Sequence, residues 1–193
     1  AAFENEKLEG YILIYTAMQF PSVILECKED LAERLMESIS EKRFIMHTSP
    51  DLLPTIKRKF PDAKHYVENW MLVRKGQAEF YKSELARKLC TRDDALKLSG
   101  LLSTRKDRPT ETAEKNMDLI REKPTYGVFL NDKLVSYAGS FIQLPQIWMI
   151  GGVYTHPNHR GMGYATLATS AVTEEALNQA KTAALFVRLD NYP

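Results

Sequence analysis

The residue types best suited to chemistry are concentrated between Gln146 and Ala165, QIWMIGGVYTHPNHRGMGYA. An apolar, β-forming segment passes through His156-Pro157-Asn158-His159 into Arg160-Gly161-Met162-Gly163, and helical periodicity begins directly afterwards. A strand, a glycine turn and a helix start in that order make an anion site. The first-turn N–H groups of a helix lack intrahelical partners and carry the positive end of its dipole. Gly161 and Gly163 permit backbone conformations closed to other residues and let a phosphate come close, and Arg160 adds a charged donor fork beside them.

Other phosphate loops fit less well. A dinucleotide loop needs a third glycine three residues after Gly163, where Thr166 stands, although Asp190 is available as the acidic residue of the next strand. A Walker loop needs Lys-Ser/Thr after its last glycine, and Tyr164-Ala165 excludes it. A plain structural turn before a helix is the remaining alternative.

The elements that must position this loop are legible on both sides of it. After it, Tyr164, Leu167, Ala168, Ala171, Val172 and Ala176 form one apolar helical face whose small residues allow close packing on a sheet, and Ala183–Leu189 reads as a buried strand. Before it, Tyr126–Leu130, an Asn131-Asp132-Lys133 turn and Leu134–Ile142 read as a hairpin, and Pro145 leads into the strand Gln146–Thr155. Gly151-Gly152 within that strand predicts a bulge or a close backbone approach. Upstream, Ala86–Cys90 is a short strand. Thr91 caps a helix through Leu102, Ser103–Pro109 is a charged loop, and Glu111–Glu122 is a helix stopped by Pro124.

The first part of the chain alternates strands (Tyr11–Thr16, Ser22–Cys27, Arg43–Thr48, His65–Arg74) with helices (one opening at Lys28-Glu29-Asp30, one over Asp51–Phe60). The polar stretch Gln77–Glu84 reads as a connection. Two domains are therefore expected: an α/β lobe over 1–84 and a second domain over 85–193. His47 and His65 read as ordinary strand or loop residues, since no clustered donors accompany them.

Composition sets further bounds. The 193 residues carry 26 Lys plus Arg against 25 Asp plus Glu, a formal net charge of +1, so no whole-protein field draws nucleic acid or an anionic membrane. No apolar run approaches a membrane span of about 20 residues. The opening residues lack a signal-peptide pattern, and the absence of an initial methionine fits a processed or shortened chain. Cys27 and Cys90 lack metal-ligand spacing and are expected as free thiols of a cytoplasmic protein, with a disulfide between them left open.

Val153-Tyr154-Thr155-His156-Pro157 followed by Arg160-Gly161-Met162-Gly163-Tyr164-Ala165 resembles the coenzyme A loop of the GCN5-related N-acetyltransferase (GNAT) superfamily, in the style of its FR47-like members. Asn158 departs from the Gln/Arg that usually opens that loop. The element order over 85–193 is also similar to that superfamily. The resemblance implies a mixed, largely antiparallel sheet flanked by helices, class α/β (α+β), with the first lobe as a degenerate second GNAT-like half. It implies acetyl-CoA as co-substrate, no metal, and direct acetyl transfer to a primary amine. The pantetheine arm would bond to the backbone of Val153, Tyr154 and Thr155, and the phosphates would lie on His159, Arg160, Gly161, Met162, Gly163, Tyr164 and Ala165. Amino-acid, polyamine, aminoglycoside and protein N-terminal acceptors all stay open, as does a homodimer. A non-catalytic acyl-CoA-binding or sensing module is the alternative.

The resemblance assigns no catalytic residue. Leu134–Thr173 contains no Asp or Glu, so the strand carboxylate that serves many relatives as base is absent. Tyr154 and His156 are the nearest titratable groups, read first as a packed strand aromatic and a loop residue. A water chain, or a carboxylate from the first half, could act instead. Asn191 matches an asparagine that in relatives begins a further helix carrying a general-acid tyrosine, and Tyr192 comes too early to be that tyrosine. The last strand is therefore expected to leave an open sheet edge, with the missing elements supplied by a continuation of the chain or by a partner.

Overall fold

β-branched and aromatic runs pair as strands wherever one face can be buried, and the opening residues do so around a turn that sequence reasoning passed over. The computed structural model describes residues 1–16, 20–106 and 111–191. The chain forms two compact units, Ala1–Val67 and Glu68–Pro193. In the first, strands β1 (Ala2–Glu4), β2 (Lys7–Tyr15), β3 (Ser22–Cys27) and β4 (Ile45–Thr48) lie in the order β1-β2-β3-β4. Asn5 and Glu6 join β1 to β2 with φ of 48° and 64°, the two left-handed positions of a tight hairpin turn. Helix α1 (Glu29–Met36) makes the crossover to β4, which runs parallel to β3. After a single 3₁₀ turn over Pro50–Leu52, capped by Ser49, comes α2 (Leu53–Lys59). Leu25, Ala32, Leu35, Met36 and Leu52 form this unit's core.

The second unit, Glu68–Pro193, contains the glycine turn. Its sheet contains β5 (Glu68–Arg74), β6 (Ala86–Lys88), β7 (Thr125–Leu130), β8 (Lys133–Gln143), β9 (Ile147–Thr155) and β10 (Thr182–Arg188) in the order β5-β10-β9-β8-β7-β6. Only β9 and β10 pair in parallel, as a connection through the helix α5 (Tyr164–Gln179) requires. Alternating residues face opposite sides. Val128, Val135, Trp148, Ile150 and Ala183 pack with α5 through its fully buried Ala168, Val172 and Ala176. On the other face, Leu89, Leu134 and Tyr137 meet α3 (Arg92–Leu102), within one cluster that also includes Ile120 of α4 (Ala113–Glu122).

Two expectations about the outer strand are corrected here. The strand expected over His65–Arg74 does not belong to the first lobe, and the domain boundary expected near residue 84 falls earlier. The strand instead pairs antiparallel with β10 along its whole length, from Glu68↔Arg188 to Arg74↔Thr182, and the units divide between Val67 and Glu68. The edge of β10 expected to lie open is therefore covered by β5, with Val73 packed against the α5 core. The loop expected over Ser103–Pro109 falls partly outside the described residues, and Tyr192 falls wholly outside them.

The start of α3 is fixed by a buried carboxylate. Asp94 is fully buried and accepts from the N–H groups of Cys90 and Thr91, both at 3.0 Å, and from Arg87 Nη2 at 2.6 Å, while its own N–H donates to Thr91 Oγ1. Burial opposes its charge, but Arg87 and these donors together hold the carboxyl well below the usual carboxylate range. Because the folded-state value is depressed, the stabilisation is fully present above the unfolded value of about 3.9 and is lost as pH falls further. Asp94→Asn should lower stability by about 3 kcal/mol at neutral pH, the low end for a broken buried pair because Arg87 is half exposed. Urea unfolding at neutral and at acid pH checks this, with the gap between wild type and variant closing in acid.

Candidate active site

The site begins where the parallel pairing stops. β10 meets β9 only at Thr182↔Ile147, Ala183↔Trp148 and Ala184↔Met149, although β9 continues to Thr155 and β10 to Arg188. Beyond Met149 the two strands part, and residues 150–155 have no strand partner on that side among the described residues. The cause lies in the two glycines. Tyr137 pairs with Tyr154 and Gly139 with Gly151, so Ala138 alone opposes Gly152 and Val153, which is a β-bulge. Gly152 has φ of 66°, and a Cβ there would stand 3.2 Å from Tyr137 Oη. At Gly151 a Cβ would meet the Phe141 ring at 2.8 Å. The bulge expected from the glycine pair is therefore present, and it leaves the edge of β9 free to bond an extended ligand.

The turn that follows is held by short-range bonds. His156 N–H donates to Val135 O at 2.8 Å, ending β9, and Asn158 N–H donates to His156 Nδ1 at 3.2 Å across a 3₁₀ turn over Pro157–His159. Gly161 and Gly163 adopt φ of 73° and 78°, and nothing lies within 4 Å of a Cβ at either position. Gly163 is the residue preceding α5, whose first turn has neither a side-chain cap nor an acidic residue. The N–H groups there are left for an anion. Arg160 Nε donates to Thr155 O at 3.3 Å, and its guanidinium lies 5.7 Å from the Tyr154 ring centre. His159 stands between His156 and Tyr164, with ring centres 5.4 and 6.4 Å away. Met162 is 61% exposed and Val153 is 43% exposed, so this wall of the site is open.

The two titratable candidates are now placed. Tyr154 Oη lies 2.8 Å from Thr104 Oγ1, and Thr104 donates its own proton to Leu101 O. The tyrosine is consequently the donor of that pair. His156 borders a hollow of about 330 Å³ with Lys97, Thr104 and Lys133. Burial, then the charges of Lys133, His159 and Arg160, push its imidazole below the ordinary value, which keeps the ring neutral near pH 7.

Asn191 is placed by a backbone bond. It lies past the end of β10, its N–H on Arg188 O at 3.1 Å, and borders a separate cavity of about 420 Å³ with Glu68, Phe186, Val187, Arg188 and Asp190. Among the described residues no group of three or more His, Cys, Asp or Glu side chains could hold a metal ion, and no helix is long and apolar enough to cross a membrane. Cys27 and Cys90 are both free thiols.

The sequence model of the Acetyltransferase (GNAT) family matches residues 94–193, just over half of the chain. The chain belongs to the GNAT acetyltransferase family. Solved structures share the fold at low identity. A GCN5-related N-acetyltransferase from Kribbella flavida is 13% identical, with a TM-score of 0.64 over 93% of this chain and 78% of that one. A Drosophila protein is 14% identical, with a TM-score of 0.64 over 98% of this chain and 68% of that one. A putative acetyltransferase of the GNAT family from Novosphingobium aromaticivorans is 19% identical, with a TM-score of 0.51 over 64% of this chain. The matched region spans about half, 52%, of that last protein. No curated protein matches the chain. GNAT acetyltransferases use acetyl-CoA, and the residues present fit it: the turn presents backbone N–H groups without a competing carboxylate, and β9 presents an unpaired edge.

Proposed function

We propose that this chain is an acetyl-CoA-dependent N-acetyltransferase that moves an acetyl group directly to a primary amine. The observation that carries the reading is the parting of β9 from β10 after Met149 and Ala184, on a strand that ends in a left-handed glycine turn and an uncapped helix. The backbone of Val153, Tyr154 and Thr155 would hold the pantetheine arm. The turn from His159 to Ala165 would hold the phosphates, with Arg160 leaving Thr155 O to reach them. Acetyl-CoA would supply the activated thioester carbonyl. An N–H of β9 donating to that oxygen would stabilise the oxyanion as the amine attacks. The free thiols of Cys27 and Cys90 fit a reducing cytoplasm.

A second reading, a module that binds acyl-CoA without turnover, is favoured by one observation: Tyr154 spends its proton on Thr104, and no Asp or Glu lies within Leu134–Thr173. A panel of amines incubated with acetyl-CoA while thiol release is followed decides between them. Amine-dependent thiol release supports the transferase, whereas saturable acetyl-CoA binding with neither transfer nor hydrolysis supports the module.

A further inference from the structure

The inner end of the notch, where β9 and β10 part, carries a roof that the glycine turn does not require. Ile150 and Leu185 are the first residues past the last pair of the two strands, and both pack with the α5 core, which closes that side of the notch. Gly151 and Phe186 come next and face the other side of the sheet. There the Phe141 ring lies on the bare backbone of Gly151, where a Cβ would meet it at 2.8 Å. Its centre is 6.1 Å from that of Phe186, in an edge-to-face contact. Phe186 is backed in turn by Trp70, its partner in β5, at 5.7 Å. On β8, Ser140 pairs with Ile150 and Ile142 with Met149, so Phe141 is the extra residue of a second bulge. That bulge and the missing side chain at Gly151 together let a ring from β8 cross β9 and touch β10.

We propose that Phe141 sets the length of the acyl group: the notch takes a short acyl chain such as acetyl and rejects long ones, because the Phe141–Phe186 contact closes the space ahead of the thioester. The proposal rests on the reading above, in which Val153 to Thr155 hold the pantetheine arm and the turn from His159 to Ala165 holds the phosphates. In that placement the thioester end points back along β9 toward Gly151. Two residues, or about 7 Å of strand, separate Val153 from Gly151. An acetyl methyl ends within that length, whereas the chain of an octanoyl group runs on into the rings. Every direction ahead of it is taken. The α5 core lies on one face, the ring pair on the other, and the paired strands at Met149 and Ala184 close the end. Forcing added methylenes into so filled a space displaces packed side chains, and affinity falls.

The test is calorimetric titration of the whole chain with acetyl-CoA and with octanoyl-CoA, read as the ratio of the two Kd values. Wild type should bind octanoyl-CoA about 10-fold more weakly or worse, the scale on which an apolar pocket rejects excess methylenes. Phe141→Ala should bring the two Kd values to within about threefold of each other, and Phe141→Leu should fall between that variant and wild type. Phe141 is 38% exposed, so loss of its ring empties no sealed core and both variants should fold, which urea unfolding checks. Wild type that binds octanoyl-CoA as tightly as acetyl-CoA would overturn the proposal, and so would a folded Phe141→Ala variant that keeps the wild-type ratio. Either result leaves the acetyl-CoA reading intact. A wild-type chain that binds neither thioester would remove that reading and this proposal with it.

Discussion

Gly161→Val and Gly163→Val should each abolish measurable acetyl-CoA binding, a loss of at least about 100-fold, while the second unit still unfolds cooperatively. Both residues sit in the left-handed region, at φ of 73° and 78°, where a β-branched side chain costs on the order of 1–3 kcal/mol. Nothing of the protein lies within 4 Å of either new Cβ, so no internal clash adds to that strain. The damage falls on the ligand instead. The added side chain occupies the space over the uncapped N–H groups of α5, and a backbone that relaxes toward negative φ turns those groups away. Arg160→Ala separates charge from cradle. It removes one donor fork and should weaken binding by about 1–3 kcal/mol without abolishing it. Calorimetric titration of the three variants checks the order, and glycine variants that fold and bind normally would show that the turn is not the anion site.

Gly152→Val should cost about 3 kcal/mol of stability and close the notch as well. Its φ of 66° carries strain of on the order of 1–3 kcal/mol, and the new Cβ meets Tyr137 Oη at 3.2 Å on a buried ring that cannot easily give way. Relief of both comes from straightening the bulge, which would draw β9 back toward regular pairing and shift the backbone of Val153 to Thr155. Stability and coenzyme affinity should therefore fall together, which sets this variant apart from those at Gly161 and Gly163. Urea unfolding beside calorimetry makes the measurement. A variant with wild-type stability would show that the strand does not depend on a left-handed residue here.

What the sequence made legible was what short-range physics decides. The strand, glycine turn and helix start are contiguous, so Gly161, Gly163 and the apolar face of α5 declare themselves by type and spacing. Gly151-Gly152 announced the bulge for the same reason: glycine in a strand needs a local cause. Asn131-Asp132 gave the β7–β8 turn, and both residues have positive φ, of 45° and 66°. The equivalent signal at Asn5-Glu6 was passed over because glutamate is a poor turn marker. Pairing across the sheet was not legible. Nothing in Glu68–Arg74 says that its partner is Thr182–Arg188, more than a hundred residues later, because a strand's own pattern fixes which face is buried and not which edge it joins. The misplaced boundary and the expected open edge of β10 both follow from that single gap. Tyr154 shows the same limit at the scale of one side chain. Its role turns on Thr104, fifty residues away, whose hydroxyl is already committed to Leu101 O.

Whether the notch between β9 and β10 and the turn below it hold acetyl-CoA is decided by calorimetric titration of the folded chain. Saturable one-to-one binding of acetyl-CoA is expected, much tighter than that of dephosphorylated pantetheine, because the phosphates would meet the N–H groups of the glycine turn. No detectable binding by intact, folded protein would contradict it.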